Sequence, residues 1–404
     1  MSKYQKSVEI AIDWLLNSKI HNLDETNAET FGSFNKYYDF RKKSCPYAYT
    51  EITAYAIELL LDLYERTNDQ EYLENAKLAG EWIGDMQYKG TDENATGGFL
   101  ECFYLPKGPV ADKVFSFDTA ICISALSDLY RKTGHNRYLI LANKGVRWLI
   151  QVMRNSDGSF KPFYDLKTKS FSNKAKNHFY FRPRSAKLRN TWYKLPGCHH
   201  GKIAIGLLKY YSIERKPLLL EIVRSLFQWV LAQQDPEGYF KVNPGCKASF
   251  LHTHCYATEG VLYSYPYLKD KQLLDAGKKA GDWLIKIQRS DGSIPSWFNN
   301  GQIISSVDSS AVAQAVRLWS ILYSETGDKR YYDSIKKGSR YLLSMQHMDS
   351  ESSMLGGFYL VEFDLKLIRY KLKRLYSWAT MFAIHALNFA DEVPSRKIQK
   401  SELW

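Results

Sequence analysis

The chain has 404 residues, more than one ordinary domain uses, so either it divides or one repeated architecture fills its whole length. Hydrophobic residues make up 45% and aromatics 15%, with 29 Tyr, 20 Phe and 10 Trp, a supply that exceeds the needs of a core and suggests a ring-lined cavity. Lys and Arg number 55 against 43 acidic residues, and the net charge of +12 favours anionic partners.

Two kinds of helical segment alternate from one end to the other. An amphipathic segment over 8–17 comes first, and Glu9 and Asp13 inside it exclude both a signal h-region and a membrane span. An almost wholly apolar segment follows over 52–64, and the same alternation repeats. Amphipathic helices are predicted at 72–87, 138–153, 218–234, 273–288 and 331–346, and apolar ones at 119–130, 202–211, 257–265, 309–323 and 378–389. An apolar helix belongs inside and an amphipathic one at the surface. No run approaches the ~20 apolar residues of a membrane crossing. The six cysteines (Cys45, Cys102, Cys122, Cys198, Cys246 and Cys255) are scattered, which suits a reduced, cytoplasmic protein.

Connections differ by direction. From an apolar helix to the next amphipathic one they are short, as in Thr67-Asn68-Asp69, Thr133-Gly134-His135 and Thr326-Gly327-Asp328, where Asn or Gly supplies the left-handed helix end. The return connections are long and carry a recurring glycine before an aromatic or apolar residue: Gly97-Gly98-Phe99, Gly158-Ser159-Phe160, Gly238-Tyr239-Phe240, Gly292-Ser293-Ile294 and Gly356-Gly357-Phe358. Six outer and six inner helices in alternation predict an all-α fold, an (α/α)6 toroid occupying 1–404 as one domain. An open helical solenoid is the alternative. In the toroid the long loops and the starts of the inner helices share one face, where loops carry function and helix dipoles favour anions.

The polar residues at those starts are the candidate machinery: Glu51, Asp118, His199 or His200, His252 or His254, and Asp308, with Trp378 at the last. Helix capping is the plain alternative for each acid. Two carboxylates across a cleft suit glycoside hydrolysis. A histidine opposite a carboxylate suits proton abstraction beside a sugar carboxylate, and His200 and His254 are the histidines chosen for that role. Rings for stacking on a sugar come from Tyr49, Tyr55, Trp192, Tyr256, Trp297 and Trp378. A basic, aromatic insertion at about 159–196 adds Arg182, Arg184 and Arg189, suited to a carboxylate or phosphate.

The alternation resembles the α/α-toroid superfamily of terpenoid cyclases, protein prenyltransferases and six-hairpin glycosidases. Val307-Asp308-Ser309-Ser310-Ala311 and Phe117-Asp118-Thr119 resemble inner-helix starts of unsaturated glucuronyl hydrolases, and Tyr49-Thr50-Glu51-Ile52-Thr53 is similar to segments in relatives of glucuronyl epimerases. The isoprenoid branches require a zinc set or an Asp-rich motif, and neither stands in this sequence. Cys198-His199-His200-Gly201 resembles the zinc motif of lanthionine cyclases but lacks a complete ligand set. The resemblance implies an enzyme acting on a uronate-bearing glycan in biosynthesis or modification, without metal or organic cofactor. The partner would be an anionic oligosaccharide or a lipid-linked glycan, not nucleic acid. A hydrolase of glucuronyl oligosaccharides and a non-catalytic binding toroid are the alternatives.

Overall fold

A computed structural model of the chain describes residues 2–105, 111–172, 192–299, 301–303, 306–350, 352–364 and 369–404. The outer helices are α1 (Lys3–Asn17), α3 (Gln70–Met86), α5 (Asn136–Trp148, ending in a π turn over Leu149–Met153), α7 (Pro217–Leu231), α9 (Lys271–Ile287) and α11 (Lys329–Ser344). The inner helices are α2 (Thr50–Thr67), α4 (Ser116–Thr133), α6 (Ile203–Glu214), α8 (Leu251–Leu268), α10 (Ser309–Thr326) and α12 (Ser377–Glu392). Burial follows polarity: α10 is buried without a break from Ser309 to Leu322, whereas α11 buries one stripe that includes Tyr331, Ile335, Gly338 and Leu342. Short turns end in left-handed residues at Asn68, Gly134, Arg215, Lys269 and Gly327.

The ring is closed. Inner helices pack in the order α2, α4, α6, α8, α10, α12 and back to α2, and α1 packs on α12. This is the (α/α)6 toroid, and the open solenoid is excluded. A glutamine at the end of an outer helix ties its own glycine loop to the next outer helix. Gln87 donates to the carbonyls of Gly97 and Leu141 at 3.0 Å each, Gln234 to those of Gly238 and Ala276 at 2.9 Å each, and Gln288 to those of Gly292 (3.4 Å) and Ser334 (3.1 Å). Gln346 closes the circle, donating to the carbonyls of Gly356 (3.1 Å) and Ser7 on α1 (2.9 Å).

A second set of bonds places the long loops. The first residue of each inner helical segment donates its N–H to the carbonyl of the residue four after the next loop's glycine. The pairs are Thr50 to Glu101, Ser116 to Pro162, Cys198 to Val242, Leu251 to Ser296, Ser309 to Leu360 and Ser377 to Lys36. Six pairs in one register show a repeat that includes Gly32-Ser33-Phe34, a sixth glycine loop the sequence reading missed. In five of the six repeats the chain just before the inner helix also pairs as a short antiparallel strand with the chain after that acceptor, for example Tyr47–Tyr49 with Cys102–Tyr104 and Arg374–Tyr376 with Tyr37–Asp39. These strands are an addition to the all-helical expectation. At three or four residues each, most are too short for a period-two pattern to register in sequence. The segment before α6 lacks one and enters through a 3-10 turn, Cys198–Lys202.

Candidate active site

The long-loop face opens into a cavity of about 570 Å³. Lys36 and Glu101 enter its wall as acceptor residues four past a loop glycine, while Tyr49, Phe250, Asp308 and Tyr376 enter as the residues immediately before inner helices. Glu51, His252 and Trp378 enter as second residues of α2, α8 and α12, and Trp192 closes one side.

Helix register decides which candidates face the cavity. Residues two apart on a helix point about 200° apart. His252 therefore looks inward while His254, at the fourth position of α8, looks outward. The Nδ1 of His254 accepts the N–H of Phe240 at 3.0 Å, and its ring lies 4.9 Å from that of Trp283 on α9. Thr53, Thr119 and Thr380 do the same for Phe34, Phe99 and Phe358 from the fourth positions of α2, α4 and α12. His254 is thus a loop-tying residue, and burial pushes it down to about 3. His200 also misses the cavity: it is fully buried between His199 and Trp229 of α7, and burial lowers it to about 3. His254→Leu is expected to cost about 1–3 kcal/mol in urea denaturation, because the Phe240 N–H is left unmet. The geometry of the cavity wall should survive.

Glu51 is the group whose surroundings suit proton transfer. Burial raises it to about 7, against the pull of Lys36 and Lys202 and of Tyr55, while Glu101 adds to the rise. Asp118, at the third position of α4, is buried behind Glu51 and does not line the cavity. Burial raises it well above the usual carboxylate range, with Glu51 and Glu101 reinforcing that, and its Oδ2 has no hydrogen-bond partner among the described residues. Tyr49 donates to Glu101 Oε1 at 3.1 Å, fixing a third carboxylate beside them.

Across the ring from α2 stands α8, and His252 faces Glu51 from the equivalent position. Burial lowers His252, and Asp308 draws it back up. Asp308 caps α10, accepting the N–H groups of Ser310 (3.0 Å) and Ala311 (3.3 Å), so the capping alternative holds for it while it also lines the cavity. Asp308 also accepts the Ser310 hydroxyl at 2.7 Å, which leaves the Ser310 oxygen to accept from His252 Nδ1 at 3.4 Å. That order puts the proton on Nδ1 and makes Nε2 the accepting nitrogen, with Gln314 a further hydrogen-bonding neighbour of the ring. One turn below, Tyr55 donates to the Tyr256 hydroxyl at 3.3 Å, joining the opposed helices as a floor.

The remaining ring residues divide. Tyr49, Trp192, Tyr256 and Trp378 line the cavity, whereas Trp297 stacks behind Phe250 at 4.6 Å. Arg182, Arg184 and Arg189 lie outside the described residues. Lys36, Glu101 and Arg374 also line the wall and were not singled out from sequence, and Tyr193, one of the aromatics of the insertion, lines it too. Arg374 is engaged by Asp39 at 2.7 Å. Lys36 forms no ion pair among the described residues, and its ammonium rests 4.0 Å from the Tyr49 ring centre and 5.6 Å from that of Trp378.

No family model matches the chain, and no curated protein does. Solved structures match its fold. A sugar epimerase from a ruminal bacterium aligns at TM-score 0.73 and 16% identity over 94% of this chain and 98% of its own. Cellobiose 2-epimerase from Bacillus thermoamylovorans B4167 aligns at 0.72 and 13%, covering 95% and 99%. An unsaturated glucuronyl hydrolase specific for heparin aligns at 0.64 and 13%, covering 98% and 99%. The likeness spans almost the full length of each and identifies the architecture as the α/α toroid.

Proposed function

We propose that this chain is a carbohydrate-active enzyme that inverts a carbon of a uronate-bearing glycan residue by proton exchange between Glu51 and His252, a modifying reaction of glycan assembly. The observation that carries it is a carboxyl raised to about 7 on the wall of an aromatic cavity, with a neutral imidazole diametrically opposite. A sugar ring between them offers one face to each. His252 Nε2 takes the proton from the carbon beside the substrate carboxylate, and protonated Glu51 delivers one to the opposite face. One C–H bond breaks and one forms, no linkage is cleaved, and the reverse reaction exchanges the roles. Lys36 is placed to neutralise the substrate carboxylate as charge develops at the neighbouring carbon, and the converging helix N-termini add positive potential. Tyr49, Trp192 and Trp378 supply ring faces for the sugar. The epimerases among the similar folds support sugar inversion as a chemistry that this architecture hosts.

Incubation with uronate-bearing oligosaccharides in deuterated water tests this. Deuterium at the carbon beside the carboxylate supports the proposal. New reducing ends without deuterium would replace it with hydrolysis by Glu51 and Asp308. Saturable binding with neither outcome would make the toroid a glycan-binding module.

A further inference from the structure

Where the first repeat meets the last, the cavity has a lip of positive charge that the proton exchange does not use. The turn after Asp39 carries Arg41-Lys42-Lys43, the strand beside it opens with Lys373-Arg374, and Asp39 is the one acid in residues 36–44 and 369–376. Pairing of Tyr37–Asp39 with Arg374–Tyr376 sets Asp39 opposite Arg374 and Tyr37 opposite Tyr376, all four on one face. Tyr37, Arg374 and Tyr376 line the cavity, and the Arg374 side chain, 35% exposed, stands at its rim. The turn is fixed in place. Asp39 donates its N–H to the Ser44 carbonyl at 3.0 Å and Phe40 to the Lys373 carbonyl at 3.3 Å, while the Phe40 ring packs on His347 (5.1 Å) and Tyr359 (6.4 Å).

An ion pair that closes the ring does not explain the lip by itself. The Asp39 side chain is 5% exposed and its oxygens are committed: Oδ1 accepts the N–H groups of Arg41 (2.9 Å) and Lys42 (3.3 Å), and Oδ2 accepts the Nε–H of Arg374 (2.7 Å). One carboxylate therefore answers one guanidinium. Arg41, Lys42, Lys43 and Lys373 are exposed and form no ion pair among the described residues. Several lysines of the outer helices, by contrast, are neutralised locally, Lys77 by Glu74 at 2.7 Å, Lys286 by Glu237 at 2.9 Å and Lys336 by Asp333 at 2.7 Å. The Asp39 clamp also orients Arg374. With Nε held and the guanidinium carbon 4.8 Å from the Tyr37 ring centre, the outer edge of the fork borders the cavity beside the Tyr376 hydroxyl. A fork fixed in this way suits a carboxylate.

We propose that this lip, with Arg374 at its inner edge and Arg41, Lys42, Lys43 and Lys373 outside it, is a second anion-binding surface that holds further carboxylates of a polyacidic glycan whose reacting residue lies in the cavity. This rests on the proton-exchange reading for what occupies the cavity, and it extends that reading to the rest of the chain. The substrate is then a glycan with repeated acidic residues, and it leaves the cavity across the strands that join the first and last repeats. Unpaired cations at a water-facing rim act through a field that salt screens within about 10 Å at 0.1 M. The lip therefore shows itself in affinity and in the salt dependence of that affinity.

Titration calorimetry on the full chain compares a hexasaccharide that carries three uronates with one of equal length that carries a single uronate. The three-uronate chain is expected to bind roughly 10–100-fold more tightly at low salt, a preference that shrinks as salt is raised. Arg374→Gln, and separately the combined variant Arg41→Gln, Lys42→Gln and Lys43→Gln, should lose most of that preference and keep the affinity for the single-uronate chain. Arg374→Lys keeps a cation on Asp39 without the fork, should lose part of the preference, and serves if the glutamine variant does not fold. Removing equal charge from an outer helix, by Lys271→Gln, Lys279→Gln and Lys286→Gln on α9, should leave the preference intact. Equal affinity or no binding for the two glycans, a preference that persists in the folded lip variants, or an equal loss in the α9 variant overturns the proposal. So does equal affinity for a single-stranded RNA of matching charge. Equilibrium binding needs no turnover, so a glycan that gains no deuterium yet shows the lip-dependent preference removes the proton exchange and leaves this surface standing.

Discussion

Glu51→Gln is expected to lower turnover by roughly 10²–10⁴-fold, the range for loss of a positioned acid or base, while glycan affinity changes little. Glutamine keeps the volume and one hydrogen-bond donor but carries no transferable proton. Steady-state kinetics beside calorimetric binding checks it, and full turnover in the glutamine variant would remove Glu51 from the reaction. The pH dependence follows from the same group. Glu51 acts as the acid, so kcat/KM should fall as pH rises through about 7, with His252 neutral throughout because burial lowers it. The stability sign is the same. A carboxyl raised in the fold binds its proton more tightly than in the unfolded chain, so its contribution is complete below the unfolded value of 4.5 and is lost as pH rises through about 7. The total change across that window is roughly 3 kcal/mol, and Glu51→Gln should be correspondingly flatter in urea denaturation between those pH values.

The toroid was legible because burial imposes polarity on whole helices. An apolar helix such as α10 and a striped one such as α11 announce their layers, and the glycine loops mark the face. The candidate site was legible only in part, for reasons of register. Selecting the polar residue nearest each inner start mixed second, third and fourth positions. Those positions differ by about 100° per residue, which sends Glu51 and His252 inward, Asp118 to the flank and His254 to the outer ring. The rule that separates them lies in the loops. Lys36 and Glu101 stand four residues after Gly32 and Gly97, where the chain accepts the first N–H of an inner helix. Aligning the glycines would have placed both on the wall, but Gly32-Ser33-Phe34, the same glycine, small residue and aromatic as Gly158-Ser159-Phe160, passed unread. The pairing of Asp39 with Arg374 at the lip joins residues 335 positions apart, a separation at which local pattern carries no signal.

Ring closure has a sharp test in two glycines. Gly356 and Gly327 both adopt positive φ, +106° and +72°, but their surroundings differ. A Cβ on Gly327 would meet nothing within 4 Å, whereas one on Gly356 would run into the carbonyl group of Ile10 on α1. Gly327→Ala should therefore cost only the left-handed strain, about 1–2 kcal/mol. Gly356→Ala adds overpacking against backbone that has no rotamer to yield, so strain of ~1–3 kcal/mol and overpacking of ~1–3 kcal/mol together give roughly 2–6 kcal/mol. Because Gln346 ties Gly356 to Ser7, the movement that relieves the clash also pulls α1 from α12 and opens the circle where the chain's two ends meet. Hydrogen exchange should then rise in α1 and α12 before it rises in α4 or α6. Equal denaturation midpoints for the two variants would mean that α1 is not held as the closing helix.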